Sequence, residues 1–211
     1  MTSLKKARFH PWVKLGKKFV IDENVVLGYK PYRKIRELTL IVGDNCRIRY
    51  GTVIYGGSKI GNNLETGHNV IIREGNVIGN NFSIWSNSVV DYECNIGNNV
   101  KVHSNCYIAQ YTSIEDDVFL SPGTMIANDI HPGCKFFREC MKGPTLRRGV
   151  KVGVNVTILP FITIGENSLI GAGSVVTKNI PSNCVAYGHP ARVMKSLDEL
   201  KCVKGLTDKP Y

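Results

Sequence analysis

The chain has 211 residues, 43% of them hydrophobic and 21% charged, with a formal net charge of +10; it is long enough for one sizeable core, and no apolar run approaches the ~20 residues of a membrane-spanning helix. Its cations lie on the flanks: residues 1–36 carry ten Lys and Arg against two acids, residues 37–134 five against ten, and residues 135–211 twelve against five. With no aromatic interleaving and no nucleic-acid motif, that distribution argues against a nucleic-acid partner and suits a small phosphorylated ligand.

Residues 1–41 read as an N-terminal cap and a first coil with an insertion. Residues 1–18 would cover an open end, and Val20 and Val26 begin a spacing of six. The stretch GYKPYRKIREL then interrupts it, either as a plain loop or as a surface that meets a ligand or another subunit. The opening residues are basic but lack an apolar h-region, so no secretory signal is read and a cytoplasmic location is expected. Seven cysteines, an odd number without a CxxC pair, fit that compartment; Cys46, Cys94 and Cys106 read as inward packing thiols.

From Val42 an aliphatic residue recurs every six positions, through Ile48, Ile54 and Ile60 and on to Leu120 and Ile126, with Thr66 the exception in that frame. Glycine follows the ladder residue at Gly43, Gly61, Gly79 and Gly97, every eighteen residues. Neither a helix nor a lone half-buried strand repeats at six, whereas a β-helix does. Six times three is eighteen, so the predicted unit is one coil of a triangular prism, with short strands for sides and Gly and Asn at corners that need left-handed backbone angles.

The ladder domain is placed at 42–197. Residues 131–149 contain no hexad, and the ladder resuming at Val152 has slipped by two, so this segment is predicted to leave the prism as an external loop that folds over something. PARVMKSLDEL, with Pro at its start, predicts a short C-terminal helix. Residues 198–211 are read as a tail.

Residues eighteen apart should stack. Asn128 then stands above Gln110, Tyr92 and Glu74, and Asp129 above Tyr111 and Glu93. Where the ladder stops and the loop departs, Asn128, Asp129 and His131 form the candidate catalytic group, His131 as general base with Asp129 as a possible tautomer-fixing partner; the alternative is a polar turn in which Asn and Asp bond their own backbone. His68 sits at the broken ladder step, where a local bulge is expected, and is either functional or structural; Arg73 with Glu74 is either part of a site or an exposed ion pair. The histidines offer no metal-ligand spacing, so no metal is expected.

IGAGSVVTKNIPSNCVAYGHPARVMK is similar to the closing motif of the hexapeptide-repeat acyltransferases, and with the ladder it resembles that family over residues 42–197. The resemblance implies an all-β, left-handed parallel β-helix, a homotrimer with active sites between subunits, and acetyl-CoA as acyl donor. The donor would lie along Gly123, Gly153, Gly171, Ala172 and Gly173, with Lys178 and Arg192 as cations. The run TGHNVIIREG, SIEDDVFLSPG and NDIHP resembles the branch that N-acetylates nucleotide-linked 3- or 4-aminosugars (dTDP or UDP), with Gln110, Tyr92, His68, Arg73 and Glu74 on the sugar side. Pro122 and His131, nine apart, reproduce instead the spacing of the maltose and galactoside O-acetyltransferases, the main alternative. A non-catalytic trimeric assembly module is the other.

Overall fold

The computed structural model describes residues 7–211. Three parallel sheets of nine, eight and ten strands, labelled here faces A, B and C, wind into one prism. Face A runs from Arg8–Phe9 to Val175–Val176, face B from Val13–Leu15 to Thr163–Ile164, and face C from Val20–Ile21 to the return strand Ala191–Ser196. Strands eighteen residues apart pair in register, as in Ile72 beside Ile54 and Val90. Ladder residues from Val42 to Ile126 point inward and are buried; full burial of one such side chain contributes roughly 1.5–3 kcal/mol.

Corner composition follows from the stacking. At the corner between faces B and C, Asn63, Asn81, Asn99 and Asp117 occupy the left-handed region (φ 57 to 61°) and hydrogen-bond one another in a ladder, at 2.7, 2.8 and 3.0 Å. Just before them the glycines recur because a Cβ on Gly61 would lie 2.6 Å from Asn80 Oδ1 and 2.8 Å from the backbone of Gly79. Cys46, Cys94 and Cys106 are buried free thiols, as expected.

Several boundaries differ from the sequence reading. Residues 1–6 of the expected cap lie outside the described residues, and the rest of residues 7–18 contributes strands to faces A and B. After Leu15, which pairs with Val42, the inward residues are Ile21 and Leu27, one position after Val20 and Val26, because they are the ones that pair with Ile48 and Ile54. The ladder resumes at Leu146, one hexad before Val152: Thr145–Leu146 pairs with Ser113–Ile114 and Leu146 is buried, so the external loop covers 127–144 and not 131–149. Arg147 and Arg148, polar neighbours of a lone aliphatic, hid that strand.

Thr66 causes no bulge. It stays in register, fully buried, its Oγ1 accepting the Arg49 amide at 2.9 Å and lying 3.4 Å from Thr52 Oγ1. At the far end, Ala191–Ser196 is a strand, antiparallel to Cys184–Gly188, and only Leu197–Glu199 is helical. Pairing the open edge of face C outweighs helical spacing there, since an unpaired edge strand leaves a row of backbone groups without partners.

Face A differs from the others on its outside. Its outward column, Val26, Val53, Ile71, Val89, Tyr107 and Met125, is apolar; face C shows Arg47, Glu65, Ser83 and Lys101 at the equivalent positions.

Candidate functional site

Both interruptions of the ladder leave from the same corner, between faces A and B. Residues 30–39 separate Val26–Tyr29 from Leu40–Val42, and residues 127–144 separate Met125–Ile126 from Thr145–Leu146. The two excursions reach toward each other across the intervening coils. Arg33 comes from one; the helical turn Phe137–Cys140 comes from the other. Between them lies a cavity of about 430 Å³ lined by Arg33, Tyr92, Tyr111, Phe137, Arg138 and Met141.

This corner also holds unusual backbone. Elsewhere, apart from Lys18 (φ 56°) at the first turn between faces B and C, the left-handed corner positions are Asn, Asp or Gly; here Glu93 (φ 57°), Tyr111 (φ 62°) and Phe161 (φ 63°) take them. A bulky side chain in that region is disfavoured by roughly 1–2 kcal/mol, and such strain concentrates at functional sites. From Val42 onward the prism therefore carries at the AB corner what it avoids at the other two.

Beneath the cavity lies a buried ion cluster. The Glu74 side chain is 0% exposed; Arg33 Nε donates to it at 2.6 Å and Arg73 Nε at 3.1 Å. Arg33 Nη2 also reaches Glu93 at 2.8 Å, its guanidinium lies 4.1 Å over the Tyr92 ring, and Arg73 Nη1 lies 3.3 Å from Asp91. Burial alone would raise the Glu74 pKa, but hydrogen bonds from Arg73, its own backbone amide and Arg33 more than offset this and hold it below the usual carboxylate range. Tyr107, which donates to Asp91 at 2.7 Å, is pushed well up by burial and by that carboxylate.

The predicted column is present. Asn128 Nδ2 donates to Gln110 Oε1 at 2.7 Å, and Gln110 Nε2 donates to Asp91 Oδ2 at 2.7 Å. Gln110, Tyr92, Arg73, Glu74 and Asn128 thus gather at one corner, and in the Arg73–Glu74 pair the carboxylate is buried while the guanidinium is 31% exposed. Asp129 Oδ1 accepts the backbone N–H of His131 at 2.8 Å. It organises the loop's first turn, the bland alternative for these residues, and does not meet the imidazole; His131 is exposed.

His68 is not part of this group. It is exposed on the corner between faces C and A, where its backbone amide donates to Ser86 Oγ at 3.0 Å. His103 packs between Trp85 and Phe119, with ring centroids 6.5 and 5.0 Å away.

Gly123, Gly153, Gly171, Ala172 and Gly173 follow face C strands, so they lie on that CA corner, one side of the prism away from Asn128. Gly153 and Ala172 line a groove of about 500 Å³ with Phe119, Lys151, Leu169 and Tyr211, and Lys151 Nζ lies 4.9 Å from the Tyr211 ring. Lys178 and Arg192 are both exposed, Lys178 beyond the last face A strand and Arg192 on the return strand.

Sequence reasoning missed Asp91, Tyr107 and Arg33. The ruler of eighteen would have found the first, since it stacks Tyr55, Arg73 and Asp91 one position past the face A ladder. No periodicity points to Arg33, which acts from outside the repeat. Among the described residues no group of three or more His, Cys, Asp or Glu is placed to hold a metal ion.

Residues 143–178 match the family model for the bacterial transferase hexapeptide (six repeats). The galactoside O-acetyltransferase of Escherichia coli is 40% identical over 97 residues, 44% of this chain and 48% of that protein. That of Lactococcus lactis is 36% identical over 90 residues, 41% of this chain and 44% of that protein. These matches span about half the length of either relative. The UDP-N-acetylglucosamine acyltransferase of Bacteroides fragilis superposes with a TM-score of 0.73 over 90% of this chain and 72% of that one, at 19% identity, a likeness of fold alone. Repeat, prism and relatives agree on a left-handed β-helix as the fold, and the chain carries bacterial transferase hexapeptide repeats and is similar over under half its length to galactoside O-acetyltransferases.

Proposed function

We propose that the chain is an acetyl-CoA-dependent N-acetyltransferase for the amino group of a nucleotide-linked 3- or 4-aminosugar, with the acceptor at the AB corner under the loop. The observation that carries this reading is the Asn128 side chain, tied down through Gln110 to Asp91 at the same AB corner as a cavity walled by Tyr92, Tyr111 and Arg33. Aromatic faces suit a sugar ring or a base, and the cations of the two excursions suit phosphates.

A sugar amine, once neutral, is already a nucleophile. The site must orient it, stabilise the tetrahedral oxyanion and let the proton leave. Asn128 orients, and the proton passes to His131 or to the departing thiolate. The amides of Ser121, Gly123, Thr124 and Met125 already donate to carbonyls of the prism, so the oxyanion donor comes from elsewhere. A hydroxyl acceptor would depend on an oriented imidazole base, and Asp129 is committed to the loop backbone instead.

The acyl-donor arm would lie in the groove beside Gly153 and Ala172. Within one chain that groove and Asn128 are separated by a full side, about 15–20 Å for five or six extended residues. Transfer needs contact at about 3 Å, so a second copy must supply the groove. The apolar column on face A lies between the two corners and would pack against that copy, in a homotrimer.

The test is a panel of dTDP- and UDP-linked aminosugars against simple galactosides and maltose, read by CoA thiol release. Turnover is expected with aminosugar nucleotides. His131→Ala should retain much of kcat, and Asn128→Ala should lose about 10²-fold. Turnover confined to galactosides, abolished by His131→Ala, would establish the O-acetyl alternative that the curated relatives favour.

A further inference from the structure

We infer that Asp91 is a positioning residue of this site: through Gln110 it dictates which way round the Asn128 amide stands, so that Oδ1 and not the NH2 group faces the acceptor. The inference rests on the reading that Asn128 meets the acceptor amine.

Asp91 is 5% exposed and every contact it makes is with a donor. The Tyr92 backbone N–H reaches Oδ1 at 2.8 Å and Arg73 Nη1 lies 3.3 Å from the same oxygen. Oδ2 accepts the Tyr107 hydroxyl and Gln110 Nε2, both at 2.7 Å. Its acceptor sites are thereby filled, which leaves no capacity to take a proton from substrate.

A carboxylate flanked by an arginine accepts and does not donate. Gln110 must therefore turn its NH2 toward Asp91, which turns its carbonyl toward Asn128. That carbonyl also only accepts, so Asn128 must present NH2 to it at 2.7 Å. One ionised group sets the sense of two amides across two coils.

The consequence is chemical. An outward Oδ1 accepts an N–H of the neutral amine and leaves its lone pair free to attack. The reversed amide would donate into that lone pair and mask the nucleophile. Asp91 thus acts without touching the substrate.

Three variants test this. In Gln110→Glu, two carboxyl groups at hydrogen-bond distance cannot both ionise and must share a proton. Whichever carboxyl holds that proton, the oxygen of position 110 that faces Asn128 can only accept from its NH2, so the wild-type sense persists and acceptor kcat/KM should stay within about fivefold of wild type. Asp91→Asn removes the accept-only group, and either amide sense becomes possible; acceptor kcat/KM should drop about 10- to 100-fold with KM for acetyl-CoA unchanged.

The double variant Asp91→Asn, Gln110→Glu exchanges the two chemistries. The new amide donates to the new carboxylate, which again accepts from Asn128, and activity should recover to within about fivefold of wild type. A double variant no better than Asp91→Asn, or a loss of acceptor kcat/KM in Gln110→Glu as large as that in Asp91→Asn, overturns the inference.

A second readout needs no acceptor. The Asn128 side-chain 15N–1H pair should show one bonded, exchange-protected proton in the wild type, lose it in Asp91→Asn and regain it in the double variant. Absence of transfer to every acceptor, with this signature intact, would refute the proposed function and keep the relay. Absence of the signature would refute the relay whatever the activity. Should Asp91→Asn fold poorly, the Asn128 signature in Gln110→Glu and in the double variant decides: its loss in either overturns the inference.

Discussion

Glu74 is the residue whose environment departs furthest from the regular corner. It is fully enclosed, yet ionised between two guanidinium groups that are each 31% exposed, so solvent reaches the cations and removing it costs less than breaking a fully buried pair. Because its folded pKa is depressed, its contribution is complete above the unfolded carboxylate value, about 4.3, and is lost as pH falls through the folded value. Thermal unfolding followed from pH 7 down to 3.5 should therefore show a steep acid limb below about pH 5. In Glu74→Gln the protein should be less stable at pH 7, and that limb should flatten. An unchanged acid limb in the variant would show that Glu74 is not the group being titrated.

At the scale of elements, the question is what holds the two excursions over the corner. The first is pinned by Arg33, whose partners Glu74 and Glu93 sit on successive coils. Arg33 is 31% exposed, so its ion pairs are discounted for solvent and together contribute about 1 kcal/mol. Arg33→Met should lower global stability by about that much while raising hydrogen exchange across residues 28–40 and in the roof around Phe137 by roughly tenfold, a local loosening. Exchange unaltered in both segments would mean that the insertion is held by something else.

These elements also show where the sequence was informative. Every side chain inside the repeat could be placed by counting, because eighteen residues close one coil: Asn128 over Gln110 over Tyr92 over Glu74 was legible before any coordinates. Even Thr66 kept its place, since a buried threonine can pair its hydroxyl within the prism. The departures came where a different force wins. The end strand Ala191–Ser196 answers to an open sheet edge, not to its own apolar spacing. Leu146 is one isolated aliphatic whose role emerges only from pairing with Ile114. Arg33 and the true partner of Asp129 lie in non-repeating segments, where periodicity carries no information about contact.

For the whole molecule, the proposed function puts two half-sites on one prism, separated by the width of face A: Asn128 would meet the acceptor at one edge, and the groove by Ala172 would hold the acyl arm at the other. Face A carries the apolar column, with Ile71 and Met125 36% and 45% exposed. If copies associate through this face, each active site takes Asn128 from one chain and the groove from its neighbour. Two defects in different half-sites can then complement. Asn128→Ala removes the acceptor contact, and Ala172→Trp fills the groove from an exposed position; each variant alone should be inactive. After co-refolding at equal amounts, random assembly pairs an intact corner with an intact groove at about a quarter of the interfaces, and about that fraction of wild-type turnover should return. Adding Ile71→Lys and Met125→Lys to both chains should yield folded monomers by light scattering and abolish the recovery. Wild-type turnover by a monomer, or no recovery from mixed trimers, would place the whole reaction within one chain and require the acyl arm to cross face A unaided.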